Sequence, residues 1–252
     1  NNDVIIFADS DMLVGGDHVA HTAALLQRPG AGAASVVYCG LPGAGLWSRV
    51  SAQCINTHFL PDVLVGLALG IATPCFGSTI ALRRETLQKI GGFEAFATTL
   101  ADDYAIGEAV RKQGLTVEIG VLRTFHVCSE ESLRELFLHQ LRWARTVKSI
   151  DPKGYVGSVL THPFAIASAG ASMGSAACLW LAGLALAFRL VLSRAVGSRF
   201  EADRQPDWLI PIADLVAFAV FFWSFFGTKG AWKKARYDVT AGGILVESHG
   251  GN

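Results

Sequence analysis

The sequence predicts an α/β domain followed by membrane helices, and three observations carry that prediction. Short apolar runs alternate with amphipathic stretches from Val4 to about Pro152, the pattern of strands interleaved with helices. Apolar stretches of bilayer-spanning length follow. Across all 252 residues, 51% are hydrophobic and the mean hydropathy is +0.39, more apolar than a water-soluble domain requires.

The first run, Val4 to Ala8, reads as a buried parallel strand. The chain opens Asn1-Asn2-Asp3 and enters this strand at once; a central strand rarely opens a domain, so an N-terminally truncated domain is expected. Further strands are expected at Ala34 to Tyr38, Ser78 to Leu82 and Thr116 to Ile119. Helices are expected at Asp17 to Leu26, Arg84 to Ile90, Asp102 to Gln113, closed by Gly114, and Ser132 to Lys148. Ser132 followed by Glu135 has the spacing of a capping box. Val63 to Phe76 is apolar but too short to span and is broken by Pro74; a core helix is the favoured reading, a segment dipping toward a bilayer the other.

Phe164 to Phe188 is 25 residues without a charge, enough to cross a hydrocarbon core of roughly 30 Å as one helix. Its many Gly, Ala and Ser residues favour close helix contacts in lipid. Trp208 to Gly227 is a second span, with Trp208 and Trp223 placed as interfacial aromatics; Asp214 lies within it and is costly unless it faces another helix. The domains are therefore read as residues 1–155 and 156–252, the latter with helices at about 164–188 and 208–227 and a basic tail carrying Lys229, Lys233, Lys234 and Arg236. Arg142, Arg145, Lys148 and Lys153 precede the first span, so positive-inside bias places both basic segments on the cytoplasmic side. Arg189, Arg194, Arg199 and Arg204 lie between the spans and count the other way. A multi-pass protein of the cell (inner) membrane with a cytoplasmic catalytic domain is expected.

Charge balances at 21 basic and 21 acidic residues, so no overall field draws nucleic acid, and none is expected as a partner. Five scattered cysteines form no CxxC pair and no zinc-finger spacing, which suits a reducing compartment.

Asp9-Ser10-Asp11 follows the first strand directly, at the strand end where α/β domains bind ligands. Two carboxylates flanking a small residue can hold a hard divalent cation that also grips phosphate oxygens; chance turns produce such triplets too. Asp102-Asp103 begins a helix, where acidic residues favour the dipole or where one carboxylate can serve as a general base. Arg142-Trp143 offers a planar phosphate clamp beside a flat apolar face, or a basic helix touching lipid headgroups. The order of these elements narrows the choice.

In that order, ahead of membrane helices, they resemble the inverting glycosyltransferases of family 2 type and their ceramide glucosyltransferase relatives, over about Val4 to Tyr155. The resemblance implies a GT-A nucleotide-sugar-binding, Rossmann-like domain. Asp9 and Asp11 match the metal-binding Asp-x-Asp. Leu100-Ala101-Asp102-Asp103-Tyr104 matches the acidic segment whose last Asp is the catalytic base, making Asp103 the base and Asp102 a supporting acid. His139-Gln140-Leu141-Arg142-Trp143 matches the (Gln/Arg)-x-x-Arg-Trp box, with His139 where Gln or Arg is usual. Cys75-Phe76-Gly77-Ser78-Thr79 resembles the segment lining the donor and acceptor pocket, and Gly77 permits close approach of the backbone to a ligand. Gly91-Gly92-Phe93 also fits, as does the tail Trp232-Lys233-Lys234-Ala235-Arg236-Tyr237.

Within the group the likeness is to bacterial ceramide-glucosyltransferase-like enzymes, including hopanoid-associated glycosyltransferases of HpnI type. It implies a UDP-sugar donor carrying glucose or N-acetylglucosamine, a divalent cation (Mg or Mn), and a hydroxylated lipid acceptor reached from the bilayer. Expected roles are catalysis for Asp103, Asp102, Arg142 and Trp143, substrate binding for Gly77, Ser78, His139 and Gln140, and metal binding for Asp9 and Asp11. His126 is a weaker candidate for metal or phosphate. A processive polysaccharide synthase uses similar motifs but needs more spans, and a non-catalytic nucleotide-sugar or lipid binder has no need of a base.

Overall fold

The computed structural model describes residues 3–226, together with the backbone of three short strands at 229–232, 235–239 and 245–247. In chain order the elements are β1 (Val4–Phe7), β2 (Met12–Val14), α1 (His18–Leu25), β3 (Ala31–Val36), β4 (Cys39–Pro42), α2 (Leu46–Cys54), a π-helical segment (Ile55–Phe59), α3 (Leu60–Ala68), β5 (Ile80–Arg83), α4 (Arg84–Lys89), α5 (Asp102–Lys112), β6 (Thr116–Gly120), β7 (Thr124–Cys128), α6 (Leu133–Ile150), α7 (Pro152–Gly157), α8 (Pro163–Ser172), α9 (Ala176–Phe200) and α10 (Leu209–Trp223). The chain divides into two compact units: residues 1–39 with 63–127, and residues 40–62 with 128–252.

The first unit is a sheet ordered β1-β5-β3-β6, covered on both faces. Strand side chains alternate between faces. Ala33, Ile80 and Leu82 therefore join Ile5, Phe7, Leu87, Ile106 and Val110 on the side of α4 and α5, while Ala34 and Ala81 join Val4, Ile6, Leu25 and Leu26 on the side of α1. This is the mixed α/β layering expected. The pairing of the first strand is not: β1 runs antiparallel to β5, Val4 opposite Arg83, and its residues are half-buried. β3 and β6 form the parallel pair. A short apolar run fixes a strand's burial but not its partner's direction.

In the second unit, Ser132 caps α6 by accepting from the backbone N–H of Glu135 at 3.2 Å, as its spacing predicts. Leu136 then points into a core with Val50, Cys54, Leu209 and Ala213 from α2 and α10. The uncharged run at 164–188 is not one helix. Gly174 adopts φ +88°, a left-handed conformation that L side chains resist, and ends α8. Ser175 starts α9 by accepting from the Cys178 N–H. The two helices then pack on each other.

Helix α9, Ala176–Phe200, is long and apolar enough to cross a membrane, the only such helix among the described residues. Helix α10 has 15 residues, short of the roughly 20 a span needs, so the expected second span at 208–227 is narrower than predicted. Val63 to Phe76 forms no core helix: α3 ends at Ala68, and Val65, Leu69 and Ile71 are exposed. Asp214 is buried and faces Arg189 and His58, which answers the cost its position implied. In the basic tail, Lys233 and Lys234 lie outside the described residues, and Lys229 and Arg236 fall in short strands of which the backbone alone is described.

Candidate active site

In the first unit three separate stretches of sequence meet at Gly77. The backbone N–H of Asp9 donates to the Gly77 carbonyl at 3.1 Å, and the N–H of Gly77 donates to Asp103 Oδ2 at 3.0 Å. A Cβ at Gly77 would stand 3.1 Å from Asp9 Oδ2 and 3.6 Å from Asp103 Oδ2. The glycine thus lies between the metal-motif carboxylate and the expected base, and its missing side chain is what lets both approach.

That glycine is held firmly. Ser35 Oγ donates to the Phe76 carbonyl and accepts from the Phe76 N–H. Ser78, buried, commits its hydroxyl to the Val36 carbonyl at 2.8 Å. Thr79 Oγ1 donates to the Ser78 carbonyl, so it can only accept from His18 Nε2, 3.1 Å away; His18 Nδ1 in turn accepts from Thr124. Burial pushes the His18 pKa down, in keeping with a neutral ring. The segment 75–79 is thereby fixed before any ligand arrives, the condition under which positioned groups act most strongly.

Helix α5 presents the acidic pair from its first turn. Asp103 Oδ1 accepts from the Tyr104 N–H at 2.7 Å, and Asp102, exposed, accepts from the Asp103 N–H. Burial drives the Asp103 carboxyl above the usual carboxylate range; the Tyr104 and Gly77 N–H groups pull it back in part, and Asp102 and Asp9 push it up again. A carboxylate that gains proton affinity in this way suits proton abstraction. Asp9 and Asp11 sit in the turn between β1 and β2, both exposed, with Asp11 Oδ1 3.6 Å from His126 Nδ1. Among the described residues no three His, Cys, Asp or Glu side chains close around an ion. Two exposed carboxylates do fit a cation of the Mg or Mn kind, which takes one or two protein oxygens and the rest from phosphates and water.

The remaining expected residues lie on α6 in the second unit. His139 and Trp143, one turn apart, bring their rings to 4.3 Å between centroids. Arg142 shares that turn and its carbonyl accepts from Thr146 Oγ1. Gln140 hydrogen-bonds the Cys54 thiol. Sequence reasoning did not foresee Glu130, whose carboxylate accepts from His139 Nδ1 at 2.7 Å; a lone Glu in a loop carries no spacing signal. It also missed Arg189 as the partner of Asp214, since the two are 25 residues apart on different helices.

The profile of glycosyl transferase family 21 matches residues 1–245, nearly the whole chain. The chain belongs to glycosyl transferase family 21. No curated protein matches it closely enough to indicate a relationship. Family 21 membership makes the protein a glycosyltransferase of the ceramide glucosyltransferase-like kind, with nucleotide-sugar donors and lipid acceptors the general pattern for the family. Family 21 enzymes are also typically membrane-associated, which suits the long apolar helix α9.

Proposed function

We propose that this glycosyltransferase transfers a hexose, glucose or N-acetylglucosamine, from a UDP-sugar to a hydroxyl of a membrane lipid, ceramide or a hopanoid polyol, with inversion at the anomeric carbon. The observation that supports it is the placement of Asp9 and Asp103 on either side of a pinned Gly77. Asp103 takes the proton of the lipid hydroxyl as its oxygen attacks the anomeric carbon, and the bond from that carbon to the diphosphate oxygen breaks. UDP leaves with the bonding pair. A divalent cation held by Asp9 and Asp11 would supply charge neutralisation at the diphosphate. Arg142, with its paired donors, has the chemistry of a phosphate clamp.

The test is UDP release by the full-length protein in nanodiscs, across a panel of UDP-sugars with Mg or Mn, with and without ceramide and hopanoid polyols. Release that depends on one lipid and one sugar is expected. Polymer formation would point instead to a processive synthase, and tight binding without turnover to a carrier of nucleotide sugar.

A further inference from the structure

The second unit contains a polar cavity that the transfer chemistry does not use. Its volume is about 360 Å³, at the lower end of the range for small-ligand sites, and it lies where the last turns of α9 meet the loop that follows them. Its floor is polar and fixed. Gln53 at the end of α2, 2% exposed, donates from Nε2 to Ser193 Oγ on α9 at 3.2 Å, and Asn56 is clamped to both the N–H and the carbonyl of Gly40. Glu201 ends α9 at φ +52°, the only left-handed residue other than glycine among the described residues, a conformation that L side chains adopt at a cost. That turn brings the loop back over the helix: the Ala202 N–H donates to the Gly197 carbonyl at 3.1 Å, and Asp207 meets Arg194 of α9 at 2.8 Å.

Charge in this cavity is divided unevenly. One oxygen of Asp207, Oδ2, meets both Arg194 at 2.8 Å and Arg204 at 3.3 Å, so two guanidinium groups share a single carboxylate and keep donors for an anion. Asp203 is in the same lining, and among the described residues only its backbone carbonyl is engaged, by Gln205. Its carboxylate is left to meet a cation. A ligand that satisfies both ends carries an anion and an ammonium. No aromatic ring lines the cavity, and a quaternary ammonium is recognised chiefly by aromatic faces, so a primary amine with N–H donors is the better match. Helix α9 sets the level of the site. From Ala176 to Ser193 its one charge is Arg189, which is buried on protein partners. At 1.5 Å per residue that stretch covers about 27 Å, close to a hydrocarbon core, and Arg194 follows directly. Leu184, Phe188 and Val191, all exposed, precede Arg194 at spacings of three or four residues, which puts them along one side of the helix. They form an apolar track that ends at the cavity.

We propose that this cavity binds the headgroup of a zwitterionic membrane phospholipid bearing a primary amine, of the phosphatidylethanolamine kind. Arg194 and Arg204 take the phosphate, Asp203 takes the ammonium, and the acyl chains lie along the exposed side of α9. This lipid is not the acceptor, since ceramide and hopanoid polyols carry neither charge. The site rests on α9 as a membrane-crossing helix and is independent of the transfer reaction.

The test is native mass spectrometry of the full-length protein, stripped of lipid in detergent and titrated with the dioleoyl forms of phosphatidylethanolamine, phosphatidylcholine and phosphatidylglycerol, and separately with soluble phosphoethanolamine. One phosphatidylethanolamine should bind about tenfold or more tightly than either other lipid, since neither offers Asp203 an ammonium N–H. Asp203→Asn should erase that preference while the lipid-free protein melts as wild type does, because the side chain is exposed. Arg204→Gln should weaken phosphatidylethanolamine and phosphatidylglycerol alike, by about tenfold for the loss of one charged donor. Equal binding of the three lipids would overturn the proposal, and so would a preference that survives Asp203→Asn or lipid affinities unchanged in Arg204→Gln. Phosphoethanolamine should bind more weakly than the lipid, for want of buried chains; equal affinity would overturn the assignment to a lipid. None of these readouts needs turnover. A protein that shows the preference but transfers no sugar defeats only the transfer reading, and one that transfers sugar without the preference defeats only this site.

Discussion

Asp103 is the residue on which chemistry and stability oppose each other. Its carboxyl holds a proton more tightly in the fold than in the open chain, so the stabilisation it gives is present below the unfolded pKa and is lost as pH rises through the folded one. At neutral pH the ionised side chain therefore weakens the fold, as functional groups often do. Asp103→Asn should lower kcat by about 10²- to 10⁴-fold, the usual worth of a general base, while UDP still binds. The same variant should melt above wild type at pH 7, with the difference shrinking as pH falls. A variant that transfers sugar at the wild-type rate would remove Asp103 from the mechanism. In wild type, activity should fall with decreasing pH through an apparent pKa above that of an ordinary Asp, and a pH–rate profile reads this directly. Gly77→Ala tests the same junction from the backbone side. Its Cβ would press on Asp9 at 3.1 Å, but the position is not left-handed. Activity should drop at least tenfold, a loss of about 1.4 kcal/mol, with little change in melting temperature.

At the scale of elements, the sequence was legible wherever a local rule decides the outcome. Ser132 and Glu135 announced the start of α6, Asp102 opened α5, and the apolar runs at 31–36, 80–83 and 116–120 became strands within a few residues of expectation. The acidic motifs could be picked out as candidates, and the way Gly77 joins them was half legible: close approach was expected of the glycine, but the two carboxylates it separates are set by folding. What escaped was non-local. Leu46–Cys54 became a helix that was not expected, and its buried face is polar in part, with Ser48, Ser51 and Gln53. The break at Gly174 was hidden because composition counts charges and does not see a backbone angle. That break predicts a measurement. Gly174→Ala should destabilise α8–α9 packing by about 1 kcal/mol, since Ala resists the left-handed conformation, and should be read as a lower melting temperature with unchanged UDP affinity.

At the scale of the whole molecule, the long apolar helix α9 has two different sides. Leu179, Trp180, Leu184, Phe188 and Val191 of α9 are exposed, a face suited to lipid, while Ala182 and Ala185 turn inward, where small side chains let helices approach. Arg189 interrupts this pattern and is buried all the same. It donates to Asp214 on α10, to His58 in the π-helical segment, and to the carbonyls of Thr57 and Thr161. Because Arg only donates, His58 Nδ1 accepts from it, and Nε2 donates to Asp214 at 2.6 Å. One guanidinium thus ties α9 to α10, to the segment ahead of α8 and to a helix whose π turn alters its carbonyl pairing. Removing one charge leaves the other buried without its partner, whereas removing both leaves only a packing change. Arg189→Met alone should therefore cost about 3 kcal/mol or more, and Asp214→Leu a similar amount. The double variant should recover a substantial part of the loss, measured by unfolding in detergent. If the two losses simply add, the ion pair is not what holds these helices together, and the carbonyl contacts of Arg189 must carry the connection by themselves.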